Sequence, residues 1–429
     1  MARRQEKEAC TEVRRFLSLM IVAMLVLVPA MTALAGEIEL WHSLMGSKEA
    51  ARIELIENFH KAYPDITVKD LGYFDIHQLN QKMLTAVVTG IPPEIGSNHY
   101  YFVPRYAAND ALEALDSYFE RDGINPEDIF FPFAVDINRY DGKLYGVPLF
   151  NSTRVLVYNK DLFKEAGLDP ERPPQTWTEL VEYAKKLTKW DGNVLDVAGF
   201  QVPVGKEMGV NFFCQLLWQK GGEIFNEDNT KVVFNSPEGV EALQFYADLF
   251  LKHKVSTFDF GAGTQGGQEP FPRGKAAMRM GGSFDLVYLA QEAPDLDYGT
   301  ALLPRPEDGE FISLVDSFSI FMMTDAKNKE DAWTFLKYCS SKEAQLAFAK
   351  TSFRLPANIE AAQDPYFQED PRMRVFAEAL ANGRALPVTP EWSEIEDILY
   401  AEIEAAINGV KTPQEALDTA AQKINSTVL

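Results

Sequence analysis

The sequence has 429 residues, of which 46% are hydrophobic, and it carries a formal net charge of −22 at pH 7. Such an acidic surface repels nucleic acid and anionic lipid, so we expect no nucleic-acid partner and no membrane-surface partner. The length and the apolar content suffice for two domains of ordinary size, each with its own core.

Residues 1–35 are predicted to be a signal peptide rather than part of the fold. A basic segment precedes an apolar run at 16–28, and Ala33-Leu34-Ala35 forms a small-residue cleavage site before Gly36. The apolar run is short for a transmembrane helix, with an uncleaved anchor as the alternative. Because Cys10 lies ahead of the run, cleavage at a lipoprotein cysteine is not supported. We therefore expect export to the periplasm.

After Gly36 the chain alternates strand-like and helix-like segments, which favours an α/β architecture with largely parallel sheets. Ser47 is expected to cap the first helix, and Asp141-Gly142 to form the turn of a hairpin. The elements predicted in this part are, in chain order, the strand EIELW, a helix through Ile53, Ile56 and Phe59, the strand DITVKDLGYF, the helix HQLNQKMLTAVVTG and the strand PPEIGSN.

The rest of the chain continues this alternation. The segment STRVLVYNKDLFKEAGLDP predicts a strand, a short helix and a stop at Gly167. Capping boxes are predicted at Thr176 with Glu179 and at Thr412–Glu415, and Ser236 opens a long amphipathic helix. The segment FISLVDSFSIFMM predicts a buried strand, which two consecutive helices follow.

Cysteine and histidine usage argues against a disulfide framework and against a metal site. Cys214 and Cys339 lie in apolar helical segments and are predicted to be buried free thiols, with a single disulfide as the alternative. The histidines show no zinc-binding spacing, and the chain has no G-x-S-x-G nucleophile motif. We expect no metal and no cofactor.

One block of the sequence, GKLYGVPLFNSTRVLVYNKDLFKEAGLDPERPPQTWTEL, is highly characteristic. It contains Gly146-Val147-Pro148, then Tyr158-Asn159-Lys160-Asp161, then the Pro-x-Thr-Trp opening of a helix. Further agreement comes, in order, from LLWQKGGEIFNED, FPRGKAAMRMGGSFD, DYGTALLP, RLPANIEA and VKTPQEALDTA. In this series the chain resembles, from about Ile38 to its end, the extracellular solute-binding proteins of ABC importers that serve sugars and glycerol-3-phosphate.

The resemblance implies an α/β, two-lobed periplasmic-binding-protein fold of type II, similar to maltose-binding protein, with a hinge and a ligand cleft between the lobes. It places the N-terminal lobe at 36–149 plus 302–353 and the C-terminal lobe at 153–299 plus 356–429, with crossings near 150–152, 300–301 and 354–355. It also implies that a monomer closes around a small solute and delivers it to the permease subunits of an ABC importer.

Ligands of open α/β sheets bind where strands meet their following loops at the carboxyl edge, so the candidates are sought there. The aromatic planes of Trp41 and Tyr73 can stack on a sugar ring, and carboxylates and amides can bind pairs of hydroxyls. Trp41 is equally compatible with the core, and the segment from Tyr73 to Asp75 with a plain turn. The candidates of the first three strands are Trp41, His42, Ser43, Tyr73, Asp75 and Asn98.

The remaining candidates follow later strands or mark lobe crossings: Asn151, Ser152, Gly282, Ser283, Asp285, Asp316, Arg354 and Trp392. Gly282 would let the backbone approach a ligand, and Asp285 could bind two hydroxyls. Asp316 interrupts an apolar strand, where a carboxylate is costly unless it is paired or faces a ligand. Arg354 is a candidate for a ligand phosphate or for an ion pair with Asp316. Trp392 could stack on a ring or staple a helix start.

Carboxylates and aromatic residues outnumber one well-placed arginine in these loops, which favours a carbohydrate over glycerol-3-phosphate or a glycerophosphodiester. In the family, the phosphate is held by an arginine beyond the last crossing, and Arg384 in NGRALPVTPEW is not an obvious match. An exported glycosidase is the alternative from another class, and it needs two carboxyls across a fixed gap, for instance Asp75 and Asp285. A mobile cleft suits capture and release better, so we expect a binding protein and no enzyme.

Overall fold

The structure is a computed structural model that describes residues 36–261 and 269–429. The predicted signal peptide, residues 1–35, lies outside the described residues. In the described part of the chain, no helix is both long enough and apolar enough to cross a membrane.

The strands are β1 (Gly36–His42), β2 (Ile66–Gly72), β3 (Ile95–His99), β4 (Arg139–Tyr140), β5 (Lys143–Leu144), β6 (Val147–Thr153), β7 (Val155–Asn159), β8 (Lys189–Asp191), β9 (Val194–Val197), β10 (Met278–Gly281), β11 (Tyr298–Ala301), β12 (Ser313–Met322), β13 (Leu355–Pro356) and β14 (Gly383–Ala385). The helices of the first half are α1 (Glu49–Ala62), α2 (Ile76–Val88), α3 (Val103–Ala108), α4 (Asp116–Arg121), α5 (Pro126–Ile129), α6 (Pro132–Asp136), α7 (Lys160–Glu165), α8 (Trp177–Leu187) and α9 (Lys206–Gln219). Those of the second half are α10 (Pro237–Leu251), α11 (Asp285–Glu292), α12 (Lys329–Ser340), α13 (Lys342–Ser352), α14 (Ile359–Ala362), α15 (Tyr366–Glu369), α16 (Pro371–Ala381), α17 (Trp392–Ile407) and α18 (Pro413–Thr427).

The larger sheet has the strand order β13-β6-β12-β3-β1-β2, with β14 paired to β12. β1 runs parallel to β2 and β3, whereas β12 runs antiparallel to β3 and β6. The helices α1, α12 and α13 pack on this sheet and bury aromatic side chains. Phe59 meets Phe335 edge-on at 4.8 Å, and Phe150 stacks between Phe318 and Phe348 at 4.9 and 5.2 Å. Such ring pairs add to the stabilisation from burial alone.

The smaller sheet has the order β10-β7-β11, and its strands are antiparallel. The helices α9, α10, α17 and α18 pack together beside it, for example where Phe212 meets Tyr246 edge-on at 5.0 Å. Only Arg154 separates the end of β6 in one sheet from the start of β7 in the other. The chain therefore passes between the sheets within one residue, close to the crossing predicted at 150–152. The lobe limits themselves stay a prediction.

The two cysteines confirm their predicted state. Cys214 and Cys339 are both free and fully buried. Burial raises the pKa of each thiol well above its usual value, because the thiolate would lose its hydration. Neither sulfur is therefore a reactive nucleophile.

The predicted helix starts are confirmed in most places. The Ser236 hydroxyl accepts from the backbone of α10, and Thr412 with Glu415 forms a reciprocal capping box at α18. Thr176 accepts from the Glu179 N–H at 3.2 Å, but the Glu179 carboxylate accepts from the Gln175 N–H instead of returning to the cap. At α8, therefore, the Thr176 half of the predicted capping box forms, and the Glu179 half binds the residue before the cap.

The prediction that Ser47 caps the first helix is wrong. A 3-10 turn at Gly46–Lys48 precedes α1, which begins at Glu49 without a side-chain cap. The Ser47 hydroxyl instead accepts a hydrogen bond from Arg354 Nη2 at 3.2 Å. A long-range partner has replaced the local cap, and this places Arg354 beside the turn that precedes α1.

We expect Gly199→Ala to destabilise the protein by about 1–3 kcal/mol, the usual range for overpacking. Gly199 is buried after β9, and an added Cβ would collide with the backbone carbonyl of Ala184 in α8. Urea denaturation of the variant measures the loss. Asn193→Ala, in the exposed turn of the neighbouring hairpin, is the control and should change the free energy of unfolding by less than about 0.5 kcal/mol. Equal stability of both variants would contradict this packing of α8 against Gly199.

Candidate functional site

The carboxyl ends of β1, β2 and β3 meet at one edge of the larger sheet. The Tyr73 N–H donates to the His42 carbonyl at 2.8 Å, and the Ser43 N–H donates to the Ser97 carbonyl at 3.2 Å. The Ser43 hydroxyl also donates to Asn98 Oδ1 at 3.1 Å. Predicted site residues from all three strands therefore lie together at this edge.

His42 belongs to a buried charge cluster rather than to an open surface. Its Nδ1 accepts from the Leu44 N–H at 3.0 Å, so the neutral ring carries its proton on Nε2, which lies 2.6 Å from Asp70 Oδ1. Arg52 contacts the same imidazole nitrogen at 2.9 Å and pairs with the other oxygen of Asp70. Burial, the largest influence, lowers the pKa of His42. Both ring nitrogens are occupied, and this leaves neither for a ligand.

Trp41, Tyr73 and Asp75 lie at the outer part of this edge. Trp41 is partly buried, its ring centre is 6.1 Å from that of Tyr73, and its indole N–H has no partner among the described residues. Asp75 is exposed, and its Oδ1 accepts from the Gln78 N–H at 3.0 Å at the start of α2. The two rings present apolar surface, whereas the Asp75 carboxylate caps a helix.

Asn151 and Ser152 lie on β6 opposite β12, where Asn151 faces Ser317 and Ser152 faces Asp316 in the register. Asn151 is fully buried, and neither its amide oxygen nor its amide nitrogen has a partner among the described residues. Ser152 accepts from Arg154 Nη1 at 3.1 Å. A buried amide without partners is costly, so Asn151 marks a place where a polar ligand would be favourable.

Asp316 forms its ion pair with His99, not with Arg354. Asp316 Oδ1 is 2.9 Å from His99 Nδ1, and both side chains are nearly buried. Burial favours the neutral acid, but the charges of His99 and of the more distant Arg154 and Lys48 outweigh it and lower the pKa of Asp316. The proposed pairing of Arg354 with Asp316 is thus absent among the described ion pairs, because a histidine on the adjacent strand β3 takes the carboxylate.

The loop after β10 holds Gly282, Ser283, Phe284 and Asp285. The Asp285 carboxylate accepts from the Gly282 N–H at 3.1 Å and lies 2.8 Å from Arg279 Nη2. A Cβ at Gly282 would collide with the Phe284 ring. The Ser283 hydroxyl is buried without a partner among the described residues. Asp285 therefore shapes the loop, while Ser283 and Phe284 remain able to contact a ligand.

Trp392 opens α17 and lies in the core, with 1% of its surface exposed. Its position is that of a residue that staples the helix start, the second of the two roles considered for it. Stacking on a ligand ring would require the surrounding core to open.

Three basic residues that were not among the predicted site residues lie in the same region as Arg354: Lys48, Arg154 and His99. The Lys48 ammonium is 4.0 Å from the centre of the Phe318 ring, and the Arg154 and Arg354 guanidiniums lie 5.7 and 4.3 Å from that of Phe284. The third, His99, pairs with Asp316 as described. The sequence could have indicated Arg154 as a site residue, since it is a charged residue between two apolar strands. Nothing in the sequence distinguishes Lys48 from other lysines near helix starts.

The opposite side of the site carries acids from the helices of the smaller sheet. Burial and the nearby charge of Glu207 raise the pKa of Tyr101 well above its usual value. Burial, together with Glu207 and Asp397, also raises the pKa of Glu396 to about 7, although Lys206 opposes the shift. These interactions bring α9 and α17 close to the segment after β3. In the described ranges, 36–261 and 269–429, no group of three or more His, Cys, Asp or Glu side chains could hold a metal ion.

The sequence model of the bacterial extracellular solute-binding proteins matches residues 44–346, more than half of the chain. The chain belongs to this family. The family consists of extracellular solute-binding proteins, and its members work with the permeases of importers. The predicted family, the predicted role as a solute-binding protein and the predicted export are therefore confirmed for the family as a whole. The predicted two-lobed α/β fold similar to maltose-binding protein is confirmed as well.

Two curated relatives of this solute-binding protein align over nearly their whole length. A putative binding protein of Brucella abortus (strain 2308) is 28% identical and covers 96% of this chain and 98% of its own. The sn-glycerol-3-phosphate-binding periplasmic protein UgpB of Salmonella typhimurium (strain LT2) is 27% identical over 90% of this chain and 91% of its own. Among solved structures, the ABC substrate-binding protein Lmo0181 from Listeria monocytogenes, in complex with cycloalternan, is 30% identical with a TM-score of 0.79, covering 91% of this chain and 98% of that one.

Proposed function

We propose that this protein captures a carbohydrate in the cleft between its lobes and releases it, chemically unchanged, to the permease of an ABC importer. The observation that carries the proposal is a set of buried polar groups without protein partners among the described residues where the two sheets meet. They are the Asn151 amide, the Ser283 hydroxyl and two nitrogens of Arg354. Sugar hydroxyls can both donate and accept, so a sugar can satisfy all of these groups together.

Aromatic surface beside these groups supports a sugar as the ligand. Phe284 follows β10 on one side, and Trp41 and Tyr73 lie on the other. Aromatic rings cover the apolar face of a sugar, while the polar groups bind its hydroxyls. Lmo0181 was solved with the carbohydrate cycloalternan, and UgpB is named for sn-glycerol-3-phosphate, which is the alternative ligand.

The proposed contact residues are Trp41, Ser43, Tyr73, Asn98, Asn151, Ser152, Gly282, Ser283, Phe284 and Arg354. We assign supporting roles to His42, Asp75, Asp285, Asp316 and Trp392, because their charged or ring groups are paired within the protein or lie in the core. The proposal also includes cleavage of residues 1–35, the lobe limits 36–149 plus 302–353 and 153–299 plus 356–429, and a monomeric state.

We expect the midpoint temperature of thermal unfolding to rise when a sugar is added. The panel consists of mono- and oligosaccharides, with glycerol-3-phosphate added as the alternative ligand. A ligand at a hundredfold its dissociation constant adds about 2.7 kcal/mol of stability. Phe284→Ala should weaken binding about fivefold or more, since it removes a stacking surface worth about 1 kcal/mol or more. Trp190→Ala, on an exposed hairpin, is the control and should bind as the wild type does.

The same samples distinguish capture from catalysis. The bound sugar, recovered after denaturation, should be chemically identical to the sugar added. Conversion of the sugar would point to the exported glycosidase instead, and silence across the whole panel would contradict the proposed function.

A further inference from the structure

We propose that the solute carries a negative charge, as a phosphate or a carboxylate, and that Lys48, Arg154 and Arg354 hold this group. These three residues are called the basic cluster below. The inference rests on the proposed function, because it specifies the ligand of the same cleft. It adds a charge requirement, and it assigns that requirement to residues other than an arginine beyond the last lobe crossing.

The basic cluster is assembled from three distant parts of the chain. Lys48 ends the turn before α1, Arg154 lies between β6 and β7, and Arg354 precedes β13. Both guanidiniums face the Phe284 ring, at 4.3 Å for Arg354 and 5.7 Å for Arg154. Arg154 and Arg354 are almost fully buried, and Lys48 is partly buried. The cations therefore share one region at the junction of the two sheets.

Two acids near the cluster are committed to other partners, and a third, Glu207, acts on Lys48 only from beyond ion-pair distance. Asp316 is paired with His99 at 2.9 Å, and Asp285 with Arg279 at 2.8 Å. Among the described residues, no member of the basic cluster forms an ion pair with a carboxylate. Buried cations are normally paired, since an unpaired charge loses its hydration without compensation. An anionic ligand would supply the missing partner.

Arg354 has the free donors that such a ligand requires. Its Nη2 donates to the Ser47 hydroxyl at 3.2 Å, whereas Nε and Nη1 are buried without a partner among the described residues. The planar guanidinium matches the two oxygens of a carboxylate or phosphate. Nearby, the unpartnered Asn151 amide and Ser283 hydroxyl can bind the hydroxyls of the same solute. The site thus fits a polyhydroxylated anion better than a neutral sugar.

The electrostatics of the cluster agree with its geometry. Burial, and then the charge of Arg354, lower the pKa of Lys48 to about 7, while Asp316 and Glu207 oppose the shift. Burial and the charge of Arg154 lower the pKa of Arg354 to about 9. An anion bound between them would raise both values. Binding near pH 7 should therefore take up protons.

Arg384, the basic residue beyond the last lobe crossing, does not offer an equivalent site. Its guanidinium pairs with Glu223 through two nitrogens and lies 4.8 Å from the centre of the Trp218 ring. Its charge is therefore already compensated. This contrast is why we assign the anion to the basic cluster.

Isothermal titration of the purified protein with matched ligands tests the proposal. Glucose is compared with glucuronate and with glucose-6-phosphate, and glycerol with glycerol-3-phosphate. At least one anion should bind about tenfold or more tightly than its neutral partner, the usual gain from charge-assisted hydrogen bonds. The carboxylate and phosphate arms tell the two groups apart. Affinity should fall as salt is added, because the ion contacts are partly screened.

Arg354→Gln and Lys48→Met should each remove most of this preference, whereas Arg121→Gln should keep it. Arg121 is a surface arginine paired with Glu330 and serves as the matched control. If Arg354→Gln does not fold, the Lys48→Met variant and the salt dependence of the wild type test the charge requirement instead. Equal affinity for neutral and charged partners would overturn the charge requirement and leave the proposed function intact. Binding of none of these ligands or of the sugar panel would instead overturn the proposed function.

Discussion

Asp70→Ala is expected to lower the free energy of unfolding by about 1–3 kcal/mol, the cost of leaving the buried His42 and Arg52 side chains without their hydrogen-bonding and charged partner. Asp70 receives both His42 Nε2, at 2.6 Å, and a nitrogen of Arg52. Arg52 is 6% exposed, so removal of the carboxylate would leave a buried guanidinium with only its longer contact to Glu49, at 3.7 Å. Burial opposes ionisation of Asp70, but the hydrogen bond and charge of His42, together with Arg52, outweigh it and lower its pKa.

Urea denaturation at pH 7 measures this loss, with Glu37→Ala as the control. Glu37 also forms a short ion pair, at 2.6 Å with Lys69, but both side chains are half-exposed. Its removal should cost less than about 1 kcal/mol. Asp70→Ala combined with Arg52→Met should recover part of the loss, because the uncompensated charge is then gone. A loss for Asp70→Ala no larger than that of the surface pair would show that Arg52 reaches solvent.

This cluster accounts for an imidazole that the sequence pattern left unexplained. His42 and Ser43 follow a strand at the predicted carboxyl edge, and nothing in the local pattern explained an imidazole there. The reason is non-local, since the partners come from α1 and from the end of β2. Periodicity identifies which elements form, but it does not reveal which polar side chains meet between elements.

The elements were predictable because their signals are local. Alternating and helical periodicities predicted β1, α2 and β12, and the capping box at α18 was read from four adjacent residues. The basic cluster was not predictable in the same way. Arg354 was a candidate from the sequence, and Arg154 stands out as a charge between two apolar strands, but Lys48 is an ordinary residue in its segment and the three are far apart in sequence. Only the crossing of the chain between the sheets brings them together.

We expect Glu396→Gln to stabilise the protein by up to about 3 kcal/mol at pH 8 and to have little effect near pH 4.5. Glu396 is 5% exposed on α17, and burial, with the charges of Glu207 and Asp397, raises its pKa to about 7 against the opposing charge of Lys206. Between its usual value near 4.5 and about 7, the unfolded chain releases the proton while the folded protein keeps it. The folded state therefore loses stability as the pH rises through this window.

Urea denaturation from pH 4.5 to pH 8 measures the effect as a difference between wild type and variant. Glu404→Gln, partly exposed on the same helix, is the control and should run parallel to the wild type. A Glu396→Gln curve that also stays parallel would mean that Glu396 ionises in the folded protein as it does in water.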